Sequence, residues 1–168
     1  GARPGHGKTL MSLELAIEAM KSGNRAVFFT LEYRESDVLD RFRAVGVEPA
    51  NFDSLFEFDN SDDISADYIA HKLAAAPRGT LVVIDYLQLL DQKRENPTLM
   101  DQVRTLQALA RMRGLTFVFI SQIHRSYDPL TKPLPDLEDV RLPNPLDLTL
   151  FTKTCFLNNG EVQFRAAG

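Results

Sequence analysis

Two glycines, a lysine and a threonine open the chain in a spacing that suits phosphate chemistry. In Ala2-Arg3-Pro4-Gly5-His6-Gly7-Lys8-Thr9, Gly5 and Gly7 allow successive backbone N–H groups to converge on phosphate oxygens. A helix starting near Lys8 adds unpaired N–H groups and its positive dipole end. The Lys8 ammonium can reach the β- and γ-phosphates, and the Thr9 hydroxyl can ligate Mg²⁺. Ala2 stands where the pattern usually has glycine. Three further residues could complete such a site. Asp85 closes the apolar run Leu81–Asp85 and could hold a Mg²⁺-bound water, or simply cap the next turn. Glu32 follows the run Ala26–Leu31 and could deprotonate an attacking water, or be a solvated loop acid. Gln122 follows Leu115–Ser121 and could sense a γ-phosphate, or be a satisfied strand-end amide.

These residues need strands to carry them. The three runs are apolar and end in polar groups, the pattern of a parallel sheet covered on both faces with its functional groups at the carboxyl ends. Helical periodicity fills the intervals. In Lys8–Ser22, Leu10, Leu13, Ile17 and Met20 share a face, and in Leu99–Arg113, Leu99, Val103, Leu106 and Ala110 do the same. A short strand over Asp53–Phe58 and a helix over Asp62–Ala76, stopped by Pro77, are also predicted. Asp128–Pro145 holds five of the nine prolines and reads as a long irregular loop. Leu148–Phe156 and Glu161–Arg165 flank Asn158-Asn159-Gly160, a hairpin signal. No strand precedes the phosphate loop in the sequence, so either that strand is absent or another segment replaces it.

Composition narrows the classes. The 168 residues are 44% hydrophobic and 25% charged, the balance of a folded globular domain. Cys155 is the only cysteine, which excludes an internal disulfide and a cysteine-based zinc site. His6, His71 and His124 show no metal-ligand spacing, and His71 is expected at the surface. No apolar run reaches membrane-spanning length and no secretory signal opens the chain, so a cytoplasmic protein without a membrane partner is expected. With a net charge of −4, nucleic-acid binding would depend on local cations.

GARPGHGKT, FFTLEYRESDVLDRF, LVVIDYLQLL and ALARMRGLTFVFISQIHR together resemble, in order, the motifs of the RecA-like ATPase domain of DnaB-type replicative DNA helicases. The resemblance covers Gly1 to about Arg125, with a fainter echo in LEDVR at Leu137–Arg141 and in the terminal hairpin. It implies an α/β fold, a RecA-like P-loop core with a mostly parallel sheet flanked by helices and a C-terminal β-hairpin, as one domain over residues 1–168. The family's first strand and amino-terminal domain would be absent from this chain. It also implies ATP and Mg²⁺ as cofactors, with Lys8 and Thr9 on phosphate and metal. Glu32 would be the catalytic glutamate, Asp85 the second metal-site acid and Gln122 the γ-phosphate sensor. Loops near Gln92–Thr98 and Ser126–Asp139 would bind single-stranded DNA through Lys93, Arg94, Arg125 and Lys132. The expected function is an ATP-hydrolysing motor acting on single-stranded DNA in replication. The alternatives are a nucleotide-binding regulatory or adaptor module with weak hydrolysis, and a small-molecule P-loop kinase. Where the family's hairpin carries a Lys-x-Arg arginine finger, this chain reads Lys153-Thr154-Cys155. Arg165 or Lys153 is left to compensate, and a processive hexameric ring is not expected of this chain alone.

Overall fold

The computed structural model describes residues 1–52, 54–142 and 144–166. Its centre is a parallel sheet built from β1 (Ala26–Thr30), β2 (Phe56–Asp59), β3 (Leu81–Asp85) and β4 (Thr116–Ile120). The strand order is β2-β1-β3-β4. Thr30 pairs with Asp85, and Asp85 with Ile120, so the three carboxyl ends finish level. β1 and β3 are buried at every residue, which is why their sequences are continuous apolar runs and not alternating ones.

Side-chain alternation along the strands divides the core in two. Phe28 and Val83 face α1 (Lys8–Lys21) and α2 (Glu35–Ala44), meeting Leu13, Ile17, Met20, Val38 and Phe42. Val27, Phe29, Val82 and Ile84 face α3 (Ala66–Lys72) and α4 (Leu99–Arg113), meeting Ile69, Leu73, Leu106 and Leu109. No helix among the described residues is long and apolar enough to cross a membrane. The terminal hairpin pairs β5 (Lys153–Asn158) with β6 (Glu161–Ala166). Its two-residue turn places Asn159 at φ 48° and Gly160 at φ 82°, the left-handed pair that Asn-Gly supplies at little steric cost.

Several expected boundaries shift. Leu10 is 44% exposed, and the buried stripe of α1 begins one turn further in, at Ser12 and Leu13. α3 starts only at Ala66, because the Ser65 hydroxyl accepts the Tyr68 N–H and caps the helix there; it ends at Lys72, four residues before Ala76. The strand expected over Asp53–Phe58 is β2 at Phe56–Asp59; Asp53 lies outside the described residues, as does Pro143 in the proline-rich loop. Leu148–Leu150 forms a 3-10 turn, and the hairpin begins at Lys153. Ala2 forms parallel bridges to Gln122 and to Leu157, joining the end of β4 to β5. Beside it lies a groove of about 340 Å³ lined by Thr116–Ser121, Thr154–Leu157, Met11 and Leu15. Among the described residues no other segment takes the place of a strand there.

Candidate functional site

The phosphate loop lies between the end of β4 and the start of α1. Gly5 sits at φ 78° and Gly7 at φ 90°, and a Cβ added to either would meet nothing within 4 Å. The left-handed backbone is what demands glycine, and the space beside it is open. Arg3 O accepts the His6 N–H at 3.2 Å, tightening the loop, while Pro4 and Gly5 remain exposed. Gly7 is the N-cap residue of α1, so the free N–H groups of the first helical turn belong to Lys8 and its successors. The His6 ring Nδ1 accepts the Asn159 N–H at 3.2 Å, tying the loop to the hairpin turn.

Lys8, Thr9, Glu32 and Asp85 converge on one side of this loop. The Thr9 hydroxyl donates to Asp85 Oδ2 at 3.4 Å and lies 3.4 Å from the Tyr33 hydroxyl. Asp85 is 1% exposed at the end of β3. Burial, and then the Glu32 carboxylate, push its carboxyl up to about 6, against the opposing pull of the Thr9 hydrogen bond, Lys8 and Arg41. Lys8 is displaced downward, chiefly by burial, while Glu32 and Asp85 favour its charge. Glu32 is exposed at the end of β1, and its N–H donates to Thr30 Oγ1 at 3.0 Å. The cluster therefore holds a half-buried cation and two carboxylates whose mutual repulsion a divalent cation would relieve. Thr9 Oγ1 and the Asp85 carboxylate are hard oxygen ligands of the kind Mg²⁺ takes and would be the residues to hold it.

Gln122 is half-buried just past β4, joined to the base of the phosphate loop by its bridge with Ala2. Its side-chain oxygen accepts from Arg141 Nη1 at 3.3 Å. The candidate DNA cations divide into two kinds. Lys93 pairs with Asp63, and Lys132 pairs with Asp136 and Asp139 at 2.7 Å each. Arg94 and Arg125 are exposed, and no ion pair engages either among the described residues. Cys155 turns inward, its Sγ 3.7 Å from Met11 Sδ, whereas Lys153 and Arg165 are exposed on the hairpin.

Sequence reasoning missed Tyr33, Arg41, Gln88 and Arg141. Arg41 lies over the Tyr33 ring at 4.4 Å and adds positive charge to the cluster; Tyr33 precedes the N-cap of α2, so helical spacing does not mark that contact. Gln88 and Arg141 meet across 53 residues of sequence, and no local pattern marks that pairing.

The family model described as DnaB-like helicase C terminal domain matches residues 56–143, just over half of the chain. That stretch contains Asp85 and Gln122 but neither the phosphate loop nor Glu32. A probable plasmid replicative DNA helicase of Chlamydia trachomatis serovar L2 is 26% identical over 171 residues, covering 83% of this chain and 38% of that protein. Its counterpart in Chlamydia muridarum gives the same figures. Among solved structures, one ATPase domain superposes with a TM-score of 0.65 at 22% identity, covering 83% of this chain and 61% of that one. A DnaB-like replicative helicase, described together with its interactions with primase, gives a TM-score of 0.65 at 20% identity, covering 83% and 42%. At such identities the superpositions establish the fold, a RecA-like parallel sheet flanked by helices with an antiparallel hairpin. The chain spans about 38% of the length of the curated relatives it matches.

Proposed function

This chain belongs to the DnaB-like helicase C-terminal domain family, and on that premise we propose that residues 1–168 form the ATP-hydrolysing motor domain of a replicative DNA helicase. The observation that carries the reading is the convergence of Lys8, Thr9, Glu32 and Asp85 beside two left-handed glycines. In this reading the loop N–H groups and the Lys8 ammonium bind the β- and γ-phosphates of ATP. Thr9 and Asp85 would hold Mg²⁺, which when bound would supply positive charge against the phosphates. Glu32, two residues past the Thr30 that pairs with Asp85 and in contact with solvent, orients the attacking water and takes its proton. Gln122 meets the γ-phosphate side of the loop and joins it to residues 123–140.

The substrate strand would be single-stranded DNA, held by Arg94 and Arg125, the two candidate cations that their own loops leave uncompensated. Self-association would bring the exposed Lys153 and Arg165 of one copy toward the nucleotide of another. With Cys155 turned inward, no arginine at that position completes a neighbour's site, so the isolated chain should hydrolyse slowly. The decisive test is the ATPase rate against protein concentration, with and without single-stranded DNA. The reading requires turnover that rises more steeply than linearly with concentration and is stimulated by DNA. Glu32→Gln should keep Mg²⁺-ATP affinity and lose about 10²–10⁴-fold in kcat. Tight binding with DNA-insensitive, negligible turnover would replace the motor by a nucleotide-binding regulatory module.

A further inference from the structure

We propose that Arg141 is a positioning residue for Gln122, fixing which end of that amide faces the phosphate loop and thereby coupling the 123–140 loop to the nucleotide. The inference rests on the reading of Gln122 as the residue that meets the γ-phosphate.

The chain leaves the sheet after β4, makes a long excursion, and returns to a neck. At that neck Ile123 and Val140 form an antiparallel bridge, the His124 N–H donates to Asp139 O at 2.7 Å, and the Arg141 N–H donates to Gln122 O at 2.9 Å. Inside the excursion Lys132 holds Asp136 and Asp139, and the Tyr127 hydroxyl donates to Lys132 O at 2.7 Å. The loop is thus braced within itself and closed at its base, so a displacement of the base carries the whole loop. Arg141 is the residue where three pieces meet. Its main chain is bound to Gln122 on one side, and on the other its carbonyl accepts from Gln88 Nε2 at 2.6 Å, in the 3-10 turn Leu87–Asp91 that follows Asp85. Its guanidinium donates to Gln122 Oε1 at 3.3 Å.

The chemistry of the amide gives that last contact its consequence. A carboxamide presents an acceptor at one end and two donors at the other. A phosphate oxygen is an acceptor and can use only the donor end. With Oε1 committed to Arg141, the N–H₂ group is the end left for the nucleotide. Without the guanidinium the amide is free to turn, and its oxygen would then repel the phosphate. The Arg141 side chain is exposed, so the contact is weak enough to be remade as the loop moves. Its main-chain bonds do not involve the side chain, so truncation should release the amide while leaving the neck closed.

Turnover by the full chain, at saturating single-stranded DNA and over a range of Mg²⁺-ATP, provides the test. It compares Arg141→Ala, Arg141→Lys, Gln122→Ala and the double variant Arg141→Ala/Gln122→Ala. Arg141→Ala should lower kcat on the order of tenfold, less than the loss of a direct transition-state donor, with KM for ATP changed by less than about twofold. Arg141→Lys should recover most of the rate, since an ammonium can also donate to Oε1. The double variant should be no slower than Gln122→Ala, because the two residues act through one contact. Wild-type kcat in Arg141→Ala beside a slowed Gln122→Ala, or additive losses, would overturn the positioning role. So would a rate loss in Arg141→Ala that disappears when the single-stranded DNA concentration is raised further, which would make Arg141 a simple phosphate contact. Wild-type turnover in Gln122→Ala would overturn the role of Gln122 and this inference with it.

Discussion

Asp85→Asn should stabilise the nucleotide-free protein while removing its capacity for Mg²⁺-ATP. Asp85 is 1% exposed, and burial followed by Glu32 raises its carboxyl from the usual 3.8 to about 6. At roughly 1.4 kcal/mol per pH unit, keeping Asp85 ionised in the folded state costs about 3 kcal/mol. The folded state holds the proton more tightly than the unfolded chain. Stability should therefore be fully present below about pH 4, decline as pH rises through about 6, and stay at the lower level above that. In the variant the amide oxygen can still accept the Thr9 hydroxyl, while the new N–H₂ costs roughly 1 kcal/mol if its partner is poor. The net gain near pH 7.5 is then about 2 kcal/mol, or a rise in Tm of roughly 4–8 °C for a chain of this size. Thermal unfolding in EDTA, without nucleotide, at pH 7.5 and again near pH 4 would measure it. A variant less stable than the wild type at pH 7.5, or one whose advantage persists unchanged at pH 4, would refute the reasoning.

Other outcomes follow from the same geometry. Lys8→Ala should abolish Mg²⁺-ATP binding in calorimetry while leaving the circular dichroism spectrum unchanged, because Lys8 stands at the helix start and not in the core. Burial opposes the Asp59 carboxylate, but the Ser61 N–H, Lys72 and the Tyr68 hydroxyl outweigh it and hold the group below its usual value. Its stabilisation is therefore present above about pH 4 and lost as pH falls through the lowered native value. Asp59→Asn should cost about 2 kcal/mol near neutral pH and almost nothing in strong acid, read from urea unfolding at both. Fluorescence anisotropy with a labelled single strand should show weak, strongly salt-dependent binding. Arg94→Ala and Arg125→Ala should each reduce the salt slope, whereas Lys132→Ala should act on its own loop and leave the slope unchanged.

How far this could be foreseen depends on the range of the interaction. β1 and β3 were legible because burial on both faces leaves no polar residue within a strand until its end, which also put Glu32, Asp85 and Gln122 on the carboxyl side of the sheet. The Asn-Gly turn and the glycines of the phosphate loop were legible because left-handed backbone is a local demand met by few residue types. Ser65 was missed as a helix start because the acidic stretch before it continues the helical composition without continuing the helix. Buried Gln102 gave no signal at all. Its oxygen accepts the Ala66 N–H and its N–H₂ donates to Leu90 O and Pro97 O, joining α3, α4 and the turn after Asp85.

The same limit applies to the site. Residue type and order single out Lys8, Thr9, Glu32 and Asp85 as candidates, but the displacement of the Asp85 carboxyl comes from what surrounds it. A buried strand end and a second carboxylate 53 residues away in sequence set that environment. Likewise, Lys93 and Lys132 are basic residues in loops, and nothing beside Lys93 in sequence reveals that Asp63 pairs with it. The carboxylates around Lys132 are nearby in sequence, at Asp136 and Asp139, within the loop closed by the Ile123–Val140 bridge. With the loop lysines Lys93 and Lys132 paired, the proposed attraction for a polyanion would come from Arg94 and Arg125, which no ion pair engages among the described residues. Their number, more than the count of basic residues in the loops, should set how steeply DNA binding falls with salt.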